Sequence, residues 1–214
     1  MARGVAAALF SILFIASSRV EQGTEPELPP LDIVERTSPG DPLPTWESTD
    51  DAGVPWKSAD HVGKKVIVIY FYPGDFTDGC TKQAHAYRRG LARLEQLGVE
   101  LVGISGDEVM THQLFKQSHG LSHTLLADPE GILAERLEIP VQRPARPAKF
   151  RTRDLDGQPL MDEQGKSIFI ERKVTFPRWT LIVGRDGTLT SKRMNVDPAK
   201  DADDVITLVE MLLK

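Results

Sequence analysis

The stretch KVIVIYFYPGDFTDGCTKQAHAYRRG, Lys65 to Gly90, joins a hydrophobic run to an amphipathic one across a loop of turn formers. Lys65 to Tyr72 is continuous β-branched and aromatic sequence, the pattern of a strand buried on both faces. PGDFTDG follows. The apolar positions Ala84, Tyr87, Leu91 and Leu94 then recur at steps of three and four, which predicts a helix over 80–97 stopped by Gly98. Thr77 or Asp78 is the expected N-cap. Cys80, the only cysteine in 214 residues, falls in or beside the first helical turn. Unpaired backbone N–H groups and the positive end of the helix dipole gather there, and both favour a thiolate, the nucleophilic form of sulfur. Cys80 also lies four residues before Ala84 on the core stripe. A buried, inert small hydrophobe fits that position equally well, so placement alone leaves both roles open.

Outward from this segment, strands and helices alternate. Val99 to Ser105 predicts a second strand and Asp107 to His119 a second helix, ended by Gly120. A short strand over Thr124–Ala127 and a short helix over Gly131–Leu137 follow. Val141 to Phe176 breaks the rhythm. Its start, VQRPARPAKFRTRD, is rich in Pro and Arg, and the turn signals DGQP and DEQG predict an inserted loop with a β-hairpin. Trp179–Val183 and Thr188–Lys192 flank Arg185-Asp186-Gly187, an Asp-Gly hairpin turn. Asp201 to Leu213 predicts a closing helix with Val205, Leu208, Val209 and Leu212 on one face. Together these elements point to an α/β sheet covered on both faces.

The composition, 40% hydrophobic and 27% charged, is that of a globular domain with a real core. A net charge of -5 argues against a nucleic-acid surface, which needs clustered Lys and Arg. MARGVAAALFSILFIASS has the layout of a secretory signal: a basic start, an apolar run from Val5 to Ala16, then small residues. The run is short for a bilayer span. The expected organisation is a signal peptide at 1–18, a Pro-, Glu- and Ser-rich linker at 19–40 and one domain at 41–214. The expected location is exported, periplasmic or secreted, with membrane association only where the signal stays uncleaved. A single cysteine forbids an internal disulfide.

Pro73, Thr77 and Cys80 form P-x-x-x-T-x-x-C directly after an apolar strand. With YFYP and GCTK, this closely resembles the active-site segment of the peroxiredoxins, the AhpC/TSA family. FYPGDFTDGCTKQAHAYR is similar to its peroxiredoxin Q, or bacterioferritin-comigratory-protein, branch. GDPLPTWESTDDAGVPW, VELVGISGD and RWTLIVGRDGTL parallel further family segments, so the resemblance runs from about Gly40 to Lys214, except at 141–176. It implies a thioredoxin-like fold with a central mixed sheet and helices on both faces. It implies a thiol peroxidase for hydrogen peroxide and alkyl hydroperoxides, serving antioxidant defence, without cofactor or metal. Cys80 would attack the peroxide and become a sulfenic acid. Thr77 and the N–H groups near Gly79 and Cys80 would bind the peroxide oxygens, and Pro73 would shield the pocket from water. Arg178 would stabilise the thiolate and hydrogen-bond the peroxide. The implied partners are a hydroperoxide and an external thiol, either a thioredoxin-like protein or a small thiol, acting on a monomer or dimer.

Many members of the branch carry a resolving cysteine five residues after the first. Here that residue is His85, so an outside thiol must reduce the sulfenic acid. His119 and His123 have i, i+4 spacing, but Gly120 intervenes and no acidic or sulfur ligand accompanies them, which gives no metal site. His61 and His112 have no recognisable setting. Arg143, Arg146, Lys149, Arg151 and Arg153 make the insertion basic, as a solvated loop or a docking surface. Three alternatives remain. A thiol–disulfide oxidoreductase needs a second cysteine, absent from Cys80-Thr81-Lys82-Gln83. A copper-binding or assembly module needs C-x-x-x-C with a histidine. A catalytically degenerate thioredoxin-like binding domain stays open.

Overall fold

The computed structural model describes residues 37–214; the expected signal segment and all but the end of the expected linker lie outside them. In chain order the elements are β1 (Glu47–Asp50), β2 (Pro55–Lys57), β3 (Val66–Phe71), α1 (Asp78–Gln96), β4 (Val99–Ser105), α2 (Val109–His119), β5 (Thr124–Ala127), α3 (Ile132–Arg136), β6 (Ala148–Arg151), β7 (Phe169–Arg172), β8 (Trp179–Val183), β9 (Leu189–Met194) and α4 (Asp201–Leu212). Seven strands form one mixed sheet in the order β2-β1-β5-β4-β3-β8-β9. β3 lies inside it, parallel to β4 and antiparallel to β8.

All six residues of β3 are buried because both of its faces are covered. Val66, Val68 and Tyr70 pack with Ala84, Tyr87 and Leu94 of α1 and with Val205 and Val209 of α4. Ile67, Ile69 and Phe71 face the other way, onto Leu133 and Ala134 of α3 and onto Trp46 and Trp56. Each such side chain contributes about 1.5–3 kcal/mol relative to exposure. The β3–β8 pairing has one consequence for chemistry. Phe71 lies opposite Trp179, so Arg178 arrives beside the loop that leaves β3.

The observed elements match the expected ones within a residue or two, the inserted hairpin with its two turns included, with differences at the sheet edge and at the start of the domain. The β1–β2 hairpin has no counterpart among the expected elements: it is short, at the sheet edge, and held by pairing of β1 with β5. The chain joins the domain by Thr37, earlier than Asp41, since the Thr37 N–H donates to Glu138 (2.7 Å) and the Gly40 N–H to the Leu189 carbonyl (2.8 Å). The insertion turns twice. β6 pairs with β7 in a separate small sheet, and the chain between them folds back at Asp154 and again at Asp162. Each aspartate accepts two backbone N–H groups across its turn, at 3.0 and 2.8 Å in both cases. Ile170, Phe150 and Leu160 pin this unit to the core on the α1 side of the main sheet.

Candidate active site

The loop from Tyr72 to Thr77 carries the chain from β3 into α1. Phe76 sits in it at φ 59°, a left-handed conformation that costs a non-glycine residue on the order of 1–3 kcal/mol. Packing holds it there: its ring meets Phe115 edge-on at 5.1 Å and His119 at 5.7 Å. Thr77 is the N-cap by position, but its hydroxyl donates to the Gly74 carbonyl (3.2 Å) instead of capping α1. The first helical bond runs from the Thr81 N–H to the Thr77 carbonyl (2.9 Å). The N–H groups of Asp78, Gly79 and Cys80 precede it and are the free donors of the helix start.

Cys80 is the third residue of α1 and only 1% exposed. Arg178, half-buried and just ahead of β8, donates from Nη2 to the Cys80 sulfur at 3.4 Å. A residue with a side chain at 79 would crowd that guanidinium: a Cβ there would lie 3.0 Å from Nη2. The other nitrogen, Nη1, donates to Gln83 Oε1. Gln83 in turn donates to Asp201 at 2.8 Å. Asp201 also accepts from Tyr87 (2.6 Å), Thr180 (2.7 Å) and Arg193 (3.0 Å). It is the first residue of α4, where the helix dipole favours negative charge. Burial, aided by the Asp201 charge, pushes the Tyr87 phenol up, so Tyr87 keeps its proton and donates it. The sulfur thus stands at the end of a buried relay from guanidinium to amide to carboxylate.

A second network lies behind the same loop. Asp75 is fully buried; it accepts from the Tyr72 hydroxyl (2.8 Å) and pairs with His112 Nδ1 (2.8 Å). Its own N–H donates to Asp107 (2.7 Å), which also accepts from Ser105 (2.7 Å) and from the Arg172 guanidinium (2.9 and 2.8 Å). Burial opposes charge on His112, but Asp75 and then Asp107 outweigh it and hold the imidazole above its usual pKa. Burial, then the Asp75 charge, pushes Asp107 up against the pull of Arg172.

The structure brings Cys80, Thr77 and Arg178 to one place, with the half-buried Pro73 at the entrance to the loop. It also places the histidines. His85 is half-buried and lies 3.3 Å from His119, within a cleft of about 310 Å³ between the start of α1 and the tip of the insertion. Burial lowers the pKa of both, with Arg88 adding for His85 and His85 itself for His119. His123 does not join them: it bonds the Tyr70 hydroxyl at 2.6 Å inside the core. Among the described residues no group of three or more His, Cys, Asp or Glu is arranged to hold a metal.

Residues 39–191 match the AhpC/TSA family. The chain belongs to that family. Among relatives, it is 37% identical over 126 residues to the protein named peroxiredoxin bcp in Coxiella burnetii, covering 59% of this chain and 82% of that one. It is 43% identical over 96 residues to the chloroplastic peroxiredoxin Q of Suaeda salsa, covering 45% of this chain and 44% of that one. The chain spans about half the length of several such plant relatives. Among solved structures, a cysteine-to-serine mutant of Xylella fastidiosa PrxQ superposes with a TM-score of 0.66 at 17% identity, covering 84% of this chain and 99% of that one. Peroxidoxin BcpB from Mycobacterium tuberculosis gives 0.63 at 21% identity, covering 82% and 98%. These likenesses establish the thioredoxin-like fold.

Gln83, Asp201, Asp75, His112 and Arg172 belong to the buried networks around Cys80 and its loop, and sequence reasoning misses all five. Gln83 carries a signal, since a polar residue three after Cys80 falls on the buried stripe of α1. Arg172 carries a weaker one: it alternates with Ile170 on the buried side of β7.

Proposed function

We propose that this AhpC/TSA protein is a one-cysteine thiol peroxidase acting on hydrogen peroxide and alkyl hydroperoxides. The observation that carries the proposal is the Arg178 guanidinium 3.4 Å from the Cys80 sulfur at the start of α1. A permanent cation and free N–H groups face one sulfur in a nearly dry site, where such donors act most strongly.

The chemistry follows from that arrangement. The Cys80 thiolate attacks the terminal peroxide oxygen, an S–O bond forms and the O–O bond breaks. The leaving oxygen departs as alkoxide or hydroxide and takes a proton to become alcohol or water. Cysteine is oxidised to sulfenic acid and the peroxide is reduced. Arg178 and the N–H groups of Gly79 and Cys80 stabilise the charge that moves onto oxygen. Thr77, whose proton is directed to Gly74, keeps oxygen lone pairs to accept the peroxide O–H. Pro73 shields the pocket from water.

With no second cysteine in the chain, an external thiol condenses with the sulfenic acid, releasing water and leaving a mixed disulfide. A second external thiol then frees Cys80. A thioredoxin-like protein or a small thiol serves. The N-terminal layout supports export, and no helix among the described residues is long and apolar enough to cross a membrane.

The test is steady-state peroxide consumption with thioredoxin or dithiothreitol as the reductant. Turnover with either is expected. No peroxide loss with either thiol would leave a degenerate binding domain instead.

A further inference from the structure

We infer that Arg172, carried by the insertion, is a positioning residue for the peroxide-binding loop. This rests on the peroxidase function proposed above and extends it to a segment outside the resemblance to the peroxiredoxin Q branch.

Arg172 ends β7 and is 1% exposed, although its strand belongs to the small separate sheet. Its Nε and Nη2 grip Asp107 at 2.9 and 2.8 Å. Nη2 also donates to the Asp75 backbone carbonyl at 3.0 Å. That carbonyl lies in the loop between Pro73 and Thr77. The Phe150 ring of β6 packs 4.7 Å from the guanidinium carbon. On the loop side the guanidinium passes over Gly74, at φ +148°, where a side-chain Cβ would fall inside it. A glycine is needed at 74 both for that backbone angle and for that approach.

The carbonyl of Gly74 is the group that orients the Thr77 hydroxyl. Arg172 therefore acts at one remove from the chemistry. It fixes Asp75, and with it the peptide planes that aim Thr77 and the start of α1. A planar fork holds the Asp107 carboxylate and the Asp75 carbonyl in one fixed geometry, which lysine's compact, freely rotating ammonium does not impose. The same cation offsets the burial of two carboxylates, Asp75 and Asp107, that face only one imidazole, His112. The cost of losing it is misalignment, since shifts of about 1 Å at a reacting centre lower rates by about 100-fold.

The experiment compares two reactions of Cys80 in the full chain: oxidation by hydrogen peroxide and alkylation by iodoacetamide. For Arg172→Ala, oxidation is expected to slow at least about 10-fold while alkylation changes little, because only peroxide needs the aligned loop. Guanidinium chloride at non-denaturing concentration should restore the oxidation rate. A purely structural role would loosen the site, speed alkylation of the buried thiol and show no rescue, and that outcome overturns the inference. Arg172→Lys keeps the charge without the fork and is expected to slow oxidation in a chain that still folds. A wild-type oxidation rate in Arg172→Lys would also overturn it. A wild-type chain inert to peroxide would instead remove the peroxidase function itself, and this inference with it.

Discussion

Arg178 and Arg172 both reach the loop between β3 and α1, one from the main sheet and one from the insertion. Arg178 keeps one face toward the sulfur and is held from behind by Gln83, a neutral amide. Arg172 has no contact with the sulfur and is bound by the Asp107 carboxylate. The contrast has a physical basis. A guanidinium tied directly to a buried carboxylate spends its field on that partner. One backed by an amide keeps its charge for the reacting atom, while Asp201 orients it at one remove. In the proposed reaction Arg178, backed by an amide, stabilises the transition state, and Arg172, bound to a carboxylate, holds the loop's frame.

Substitutions at the sulfur end should have the largest effects. Cys80→Ser is expected to reduce peroxide consumption to the uncatalysed background in a coupled assay. Next, Arg178→Met should slow oxidation by about 100-fold or more, the usual loss when one preorganised donor is removed. An unchanged rate would take Arg178 out of the site. Gln83→Leu probes the backing. It leaves Arg178 and Asp201 each one partner short, which should cost about 1–3 kcal/mol in urea unfolding and slow oxidation less than Arg178→Met does. If Gln83→Leu matched Arg178→Met in rate, the amide would be a partner in the chemistry and not a holder.

The expected effect with the least bearing on peroxide chemistry lies away from both arginines and concerns stability alone. Burial holds His123 down at about 4. The unfolded chain therefore takes up a proton that the folded chain refuses. The stability this gives is present above the unfolded value near 6.5 and is lost as pH falls toward 4, by about 3 kcal/mol. His112 works in the other direction: its raised pKa gives stability that is full below the unfolded value and lost as pH rises through the folded one. His123→Gln should flatten the acid side of a stability–pH curve, measured relative to the variant's own stability at neutral pH.

The central elements are readable in the sequence for specific reasons. β3 is apolar on both faces, α1 has a clean helical stripe, and P-x-x-x-T-x-x-C is too specific to arise often by chance. Arg178 comes from resemblance alone, because it lies 98 residues from Cys80 in the chain and is brought near it by the pairing of β3 with β8. Thr77 is expected to cap a helix, yet its hydroxyl turns to Gly74. The networks of Asp201 and of Asp75, Asp107 and Arg172 are hidden. Charged residues usually face water, and nothing local in a sequence says which few will be buried with partners. The histidines show the same limit. His119 and His123 share a helical spacing, but Gly120 ends α2 between them and sends them to different partners.

The most direct test is to treat the reduced protein with one equivalent of hydrogen peroxide at neutral pH, add a sulfenic-acid trapping reagent and locate the adduct by mass spectrometry. A single adduct on Cys80, absent from Cys80→Ser and strongly reduced in Arg178→Met, is the predicted result. An unmodified Cys80 after peroxide treatment would contradict the account and leave the fold without its chemistry.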